Sequence, residues 1–103
     1  MNNLRRIKSK YGLTARQIAA ILKVPVHNVK NWLRGYCPRV EPIEAAVLKT
    51  KIEHAIQFAR SYVPDSAGKN NREVITVCLN TNVVKHASPS IRRTLKIIIN
   101  KDI

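Results

Sequence analysis

The 103-residue sequence predicts a mainly α-helical chain in which four N-terminal helices share one core, followed by a short β-strand element and a C-terminal helix. Three observations predict it. Apolar residues recur at helical spacing from Leu4 to Ala59, a proline at position 25 cuts one such run in two, and after residue 72 the composition turns β-branched. The same changes set the expected boundaries: a helical domain over 1–63, a connector over 64–72, and a strand-plus-helix element over 73–103.

Asn3, Leu4, Ile7, Lys8 and Tyr11 form a first helix, with apolar residues at i, i+3 and i+7, that stops at Gly12. Thr14 is placed to cap a second helix, with Gln17 three residues on as its reciprocal partner. Ile18, Ala19, Ile21 and Leu22 then fall near one side. In a helix interior Pro25 would cost about 3 kcal/mol or more, because it removes a backbone donor and clashes with the preceding turn. In the first turn of a new helix that donor has no partner anyway, and the fixed φ already suits a helix. The chain therefore restarts at Pro25 and runs through Val29, Trp32 and Leu33 to Gly35, a natural C-terminal stop. Tyr36 to Pro42 is a loop. A longer helix follows from Pro42 to about Tyr62, with Ala45, Leu48, Ile52, Ala55, Ile56 and Ala59 as its buried stripe.

PDSAGKNNR, residues 64–72, is rich in turn formers. EVITVCL, residues 73–79, is β-branched and apolar, so a strand is expected with Ile75, Val77 and Leu79 on one face. Residues 83–87 suit either a second short strand or a helical turn. Ser88-Pro89 supplies an N-cap and a first-turn proline for a last helix, with Ile91, Leu95, Ile98 and Ile99 apolar. One or two strands leave unpaired edges and a half-covered face, which a second copy of the chain can complete. Ile75, Val77, Leu79, Ile91, Leu95 and Ile98 are accordingly expected to pair two chains. Packing on the helical domain of the same chain is the alternative.

Charge narrows the function. Lys and Arg total 19 against 6 Asp and Glu, a formal net charge of +13. From Met1 to Val40 stand Arg5, Arg6, Lys8, Lys10, Arg16, Lys23, Lys30, Arg34 and Arg39, and the first acid is Glu41. A solvated face normally mixes both signs, so this stretch points to a polyanion, nucleic acid ahead of an anionic membrane. No apolar run is long enough for a membrane span, and the N-terminus lacks the apolar core of a signal peptide, so a cytoplasmic or nucleoid location is expected. Cys37 and Cys78 have no neighbouring cysteine, and His27, His54 and His86 fall at no metal-ligand spacing, so no metal or cofactor is expected. The few carboxylates form no recognisable pair or triad with histidine, which argues against an enzyme. Aromatic residues are few and not interleaved with basic ones, which argues against a single-strand stacking platform.

Residues 15–34 resemble the helix-turn-helix of phage repressors and Cro proteins. Ala19 holds the small-residue position where the two helices touch, and Ile18, Leu22, Val24, Val29 and Trp32 match the hydrophobic positions. Lys23 departs from the pattern, which usually has glycine in the turn. The resemblance implies a sequence-specific regulator of transcription that binds double-stranded DNA, a repressor acting as a homodimer on a palindromic operator. With Val24, Val29 and Trp32 inward, Val26, His27, Lys30, Asn31 and Arg34 face outward. The first four match the motif's base-reading positions, and Arg34 can serve base or phosphate. Arg5, Arg6, Lys8, Lys10, Arg16 and Arg39 are expected to frame the phosphate backbone. Small size and the lack of an evident effector domain resemble regulators of phages and other mobile elements, including anti-CRISPR-associated ones. The alternative is a basic adaptor or inhibitor that binds an acidic protein, or nucleic acid without sequence preference.

Overall fold

The computed structural model describes residues 2–63 and 70–99. Among these the chain forms helices α1 (Asn3–Tyr11), α2 (Ala15–Leu22), α3 (Val26–Leu33), α4 (Glu41–Arg60), α5 (Asn71–Asn80) and α6 (Pro89–Ile99), with a 3-10 turn at Val83–His86. Two compact units result, one reaching Thr50 and the other starting at Lys51. α4 contributes its first half to one unit and the rest to the other.

In the first unit, Leu4, Ile18, Val29 and Leu48 are fully buried, with Ile21, Leu22 and Trp32 close to it. Helix ends, more than helix propensity, hold these residues in place. α1, α2 and α3 each finish at a residue in the left-handed region: Gly12 (φ 62°), Lys23 (φ 59°) and Gly35 (φ 84°). At each end the next backbone N–H folds back to a carbonyl in the last turn: Leu13 to Lys8 at 3.0 Å, Val24 to Ala19 at 3.1 Å, and Tyr36 to Asn31 at 3.1 Å. Such bonds satisfy carbonyls that the helix itself leaves without partners. At the start of α2 the capping box is present, with Gln17 N donating to Thr14 Oγ1 at 3.1 Å and Thr14 N to Gln17 Oε1 at 2.8 Å. Pro25 sits one position earlier than expected. It is the residue before α3, extended at ψ 144°, and the helix begins at Val26.

The second unit corrects the expected strand. EVITVCL lies inside α5, and no strand occurs among the described residues. Asn70 Oδ1 accepts the Glu73 N–H at 2.8 Å, with Glu73 itself an acid in the first turn, so the start of the helix is capped and favourably charged. Val74, Ile75 and Cys78, at i, i+1 and i+4, are buried. β-branched residues lose only a few tenths of a kcal/mol each in a helix, whereas fully burying an aliphatic side chain returns about 1.5–3 kcal/mol, so packing decides. Val83–His86 is a helical turn, with Val84 and Ala87 buried. Ser88 caps α6 as expected, its Oγ accepting the Ile91 N–H at 3.3 Å.

Of the expected pairing residues, Ile75, Leu95 and Ile98 are buried within the chain, and Val77, Leu79 and Ile91 are half-buried. A helix has no open edge, so the argument for pairing two chains through a strand falls away. Most of the expected connector, 64–69, lies outside the described residues, as do 100–103. The rest of it, 70–72, caps and opens α5.

A lysine in the left-handed region costs roughly 1–2 kcal/mol, offset in part by the stiffer unfolded chain that a side chain gives. Lys23→Gly is expected to raise unfolding stability by about 0.5–1 kcal/mol, measured by denaturant titration. Gly35→Ala should lower it by about 1 kcal/mol although nothing lies within 4 Å of the added carbon, because backbone strain is the cause. Cys78 is buried, its Sγ donates to the Ala59 carbonyl at 3.1 Å, and burial pushes the thiol pKa up. Iodoacetamide at neutral pH should therefore label half-buried Cys37 and spare Cys78 in the folded chain, which intact-mass spectrometry can check.

Candidate nucleic-acid interface

Two turns of α3 decide what this helix offers to a partner. Val29 is fully buried and Trp32 nearly so, which fixes the helix's rotation about its axis. Val26, His27, Lys30, Asn31 and Arg34, at i, i+1, i+4, i+5 and i+8, then occupy the opposite side. His27, Lys30 and Arg34 are exposed, and Val26 and Asn31 are half-buried. None of the five side chains hydrogen-bonds or ion-pairs with the described residues. Val24, expected inward, is half-buried at the edge of the turn. α2 packs directly on α3, so the three-residue turn Lys23 to Pro25 sets the angle at which that face is presented.

A cluster at the start of α1 holds the other end of α3. Asn2 Oδ1 accepts the Arg5 N–H at 2.8 Å, while its Nδ2 donates to the carbonyls of Trp32 at 3.0 Å and Leu33 at 3.2 Å. Arg5 Nε donates to the same Leu33 carbonyl at 3.1 Å. Buried Glu41 completes the cluster, its Oε1 accepting the Leu4 N–H at 2.6 Å. The expectations from sequence omitted Asn2 and Glu41. Asn2 carried a legible signal, an asparagine just ahead of a periodic apolar run. Glu41 stood out as the first acid of a basic half, but its partner lies 37 positions away in sequence.

The six cations expected to frame phosphates do not form one rim. At about 100° per residue, Arg5 and Lys8 fall to one side of buried Leu4, while Arg6 and Lys10 fall to the other. Arg6 and Lys10 line a cleft between α1 and the first half of α4, together with Ile7, Tyr11, Ala45 and Lys49. Lys10 Nζ lies 5.4 Å from the centre of the Tyr11 ring, near enough for a cation–π contact. Arg16 is exposed in the first turn of α2, and Arg39 is exposed in the turn before α4. No group of His, Cys, Asp and Glu among the described residues is placed to hold a metal ion, and no described helix is long and apolar enough to cross a membrane.

Arg5 thus couples α1 to α3 and carries a charge, and the two roles are separable. Arg5→Lys keeps the charge but loses the Nε geometry, so it should lower stability by about 0.5–1 kcal/mol and leave the salt dependence of any duplex binding intact. Arg5→Ala should lower both. Thermal unfolding alongside duplex titration at two salt concentrations distinguishes them.

No protein family, curated protein or solved structure compared with this chain matches it.

Proposed function

We propose that this chain is a sequence-specific double-stranded DNA-binding regulator of transcription, a repressor that acts as a homodimer by occupying a palindromic operator. The observation that carries this reading is the outer face of α3, where five side chains without partners among the described residues stand on a buried apolar back. Their chemistry suits a major groove. Lys30 can donate to guanine O6 and N7, Asn31 can pair with adenine N6 and N7, Val26 can touch a thymine methyl, and His27 or Arg34 can reach base or phosphate. Arg5, Lys8 and Arg16, with the free backbone donors at the start of α2, are suited to holding the flanking phosphates. Two copies bound to half-sites about 34–36 Å apart would match the two-fold symmetry of a palindrome. The pairing surface is not the strand expected from sequence.

A second reading, an adaptor that binds an acidic protein, is favoured by the α1–α4 cleft. There Arg6, Lys10 and Lys49 surround an apolar floor of Ile7, Tyr11 and Ala45. Acidic side chains would meet the cations while an apolar one filled the floor.

Selecting bound sequences from a random duplex pool separates the readings. A regulator enriches a palindrome, whereas an adaptor enriches nothing. On the selected site, Lys30→Ala and Asn31→Ala should each cost about 1–3 kcal/mol and relax preference at one base pair. An unchanged ratio of selected to random binding in both variants means that α3 does not read the DNA. Sedimentation with and without the palindrome tests the dimer, which fails if only one chain is bound per site.

A further inference from the structure

We propose that the outer face of α6 is a second contact for the nucleic-acid backbone, in the unit that does not contain the helix-turn-helix. The proposal rests on the DNA-binding reading above. Arg92, Arg93 and Lys96 are all exposed and fall within about 100° of helix circumference, on the side away from buried Thr94, Leu95 and Ile98. With Pro89 and Ile97 they line one shallow depression. α6 contains no acidic residue among Pro89–Ile99, and the side chains of the three cations have no hydrogen-bond or ion-pair partner among the described residues. Arg92 and Lys96, four positions apart, repel each other along the helix. Nothing among the described residues compensates that repulsion, and a partner carrying closely spaced negative charges relieves it.

The chemistry selects phosphate. Arginine forks bind phosphate oxygens bidentately and lysine binds them as a point charge. Asn and Gln, the side chains that read adenine edges, are absent from α6. An acidic protein would need an apolar centre to bury, and none of the exposed large hydrophobics lies on α6. The proposed contact is electrostatic and made to phosphates, so it is indifferent to sequence. It adds to affinity without adding to preference.

The test uses the full chain, with R92Q/R93Q/K96Q compared with wild type on a random duplex and on the selected duplex between 50 and 200 mM salt. Three lost phosphate contacts make the slope of log K against log salt less negative by about 2–3 per bound chain, so the affinity loss over that range shrinks by about 16- to 64-fold. Affinity at the low-salt end should fall on both duplexes by the same factor, leaving their ratio unchanged. K23Q/R60Q/K85Q makes the same change in net charge outside α6, at residues given no binding role, and should move the slope by less than about one. The α6 contact is overturned by an unchanged slope in the first triple variant, or by an equal shift in the second. If circular dichroism shows the first triple variant to have lost helix, the single variant Arg93→Gln decides, with an expected shift of about 0.9. Equal wild-type binding to both duplexes would sink the operator reading and leave the slope comparison valid. Absence of binding to either duplex overturns both.

Discussion

The first turn of any α-helix has backbone donors with no helical acceptor, and at α1 the way they are satisfied organises the unit up to Thr50. Asn2 takes the Arg5 N–H and Glu41 takes the Leu4 N–H, so the start of α1 is joined both to the end of α3 and to the beginning of α4. Asn2 and Arg5 also supply donors to carbonyls at the end of α3, where a helix has acceptors to spare. The negative carboxylate of Glu41 meets the positive end of the α1 dipole. Loss of that carboxylate would leave a buried N–H without a partner, a defect costing about 1–3 kcal/mol. An acid in a strongly basic half is therefore accounted for by the interior of the protein.

The same joint divides the charge. Because Leu4 is turned inward, the basic residues of α1 separate onto two flanks, one beside α3 and one beside α4. A net charge of +13 is thus neither one surface nor one site. Eight of the cations lie on the α3 side of α1, in the α1–α4 cleft and on the outer face of α6, each group with its own surroundings. Salt weakens all three, and in the cleft the apolar side chains of Ile7, Tyr11 and Ala45 can support binding once the charges are screened.

Local punctuation made much of the fold legible. Gly12, the Thr14–Gln17 pair, Gly35 and Ser88-Pro89 mark helix ends through chemistry that acts within a few residues, and each lies where the chain does turn. The α4 stripe was legible too, because its six apolar positions keep a helical period and all are buried. EVITVCL misled because alternation over seven residues also fits a helix that buries Val74, Ile75 and Cys78. The spacing from Asn70 to Glu73 was the overlooked signal. For the candidate site, the outward face of α3 followed from periodicity. The grouping of the cations did not, since a count of charges carries no direction until a buried residue fixes the rotation of each helix.

The five outward side chains of α3 make no hydrogen bond or ion pair with the rest of the described protein, while Val29 and Trp32 behind them carry the packing. What this helix offers to a partner is therefore largely decoupled from what keeps it folded. Substitutions at the exposed positions 27, 30 and 34 can accumulate with little effect on the fold, so the outward chemistry of this face can change while the packing behind it stays fixed. An insertion between Leu22 and Val26 has no such freedom. One added residue there would disturb the turn that sets the phase of α3 and displace the whole face at once.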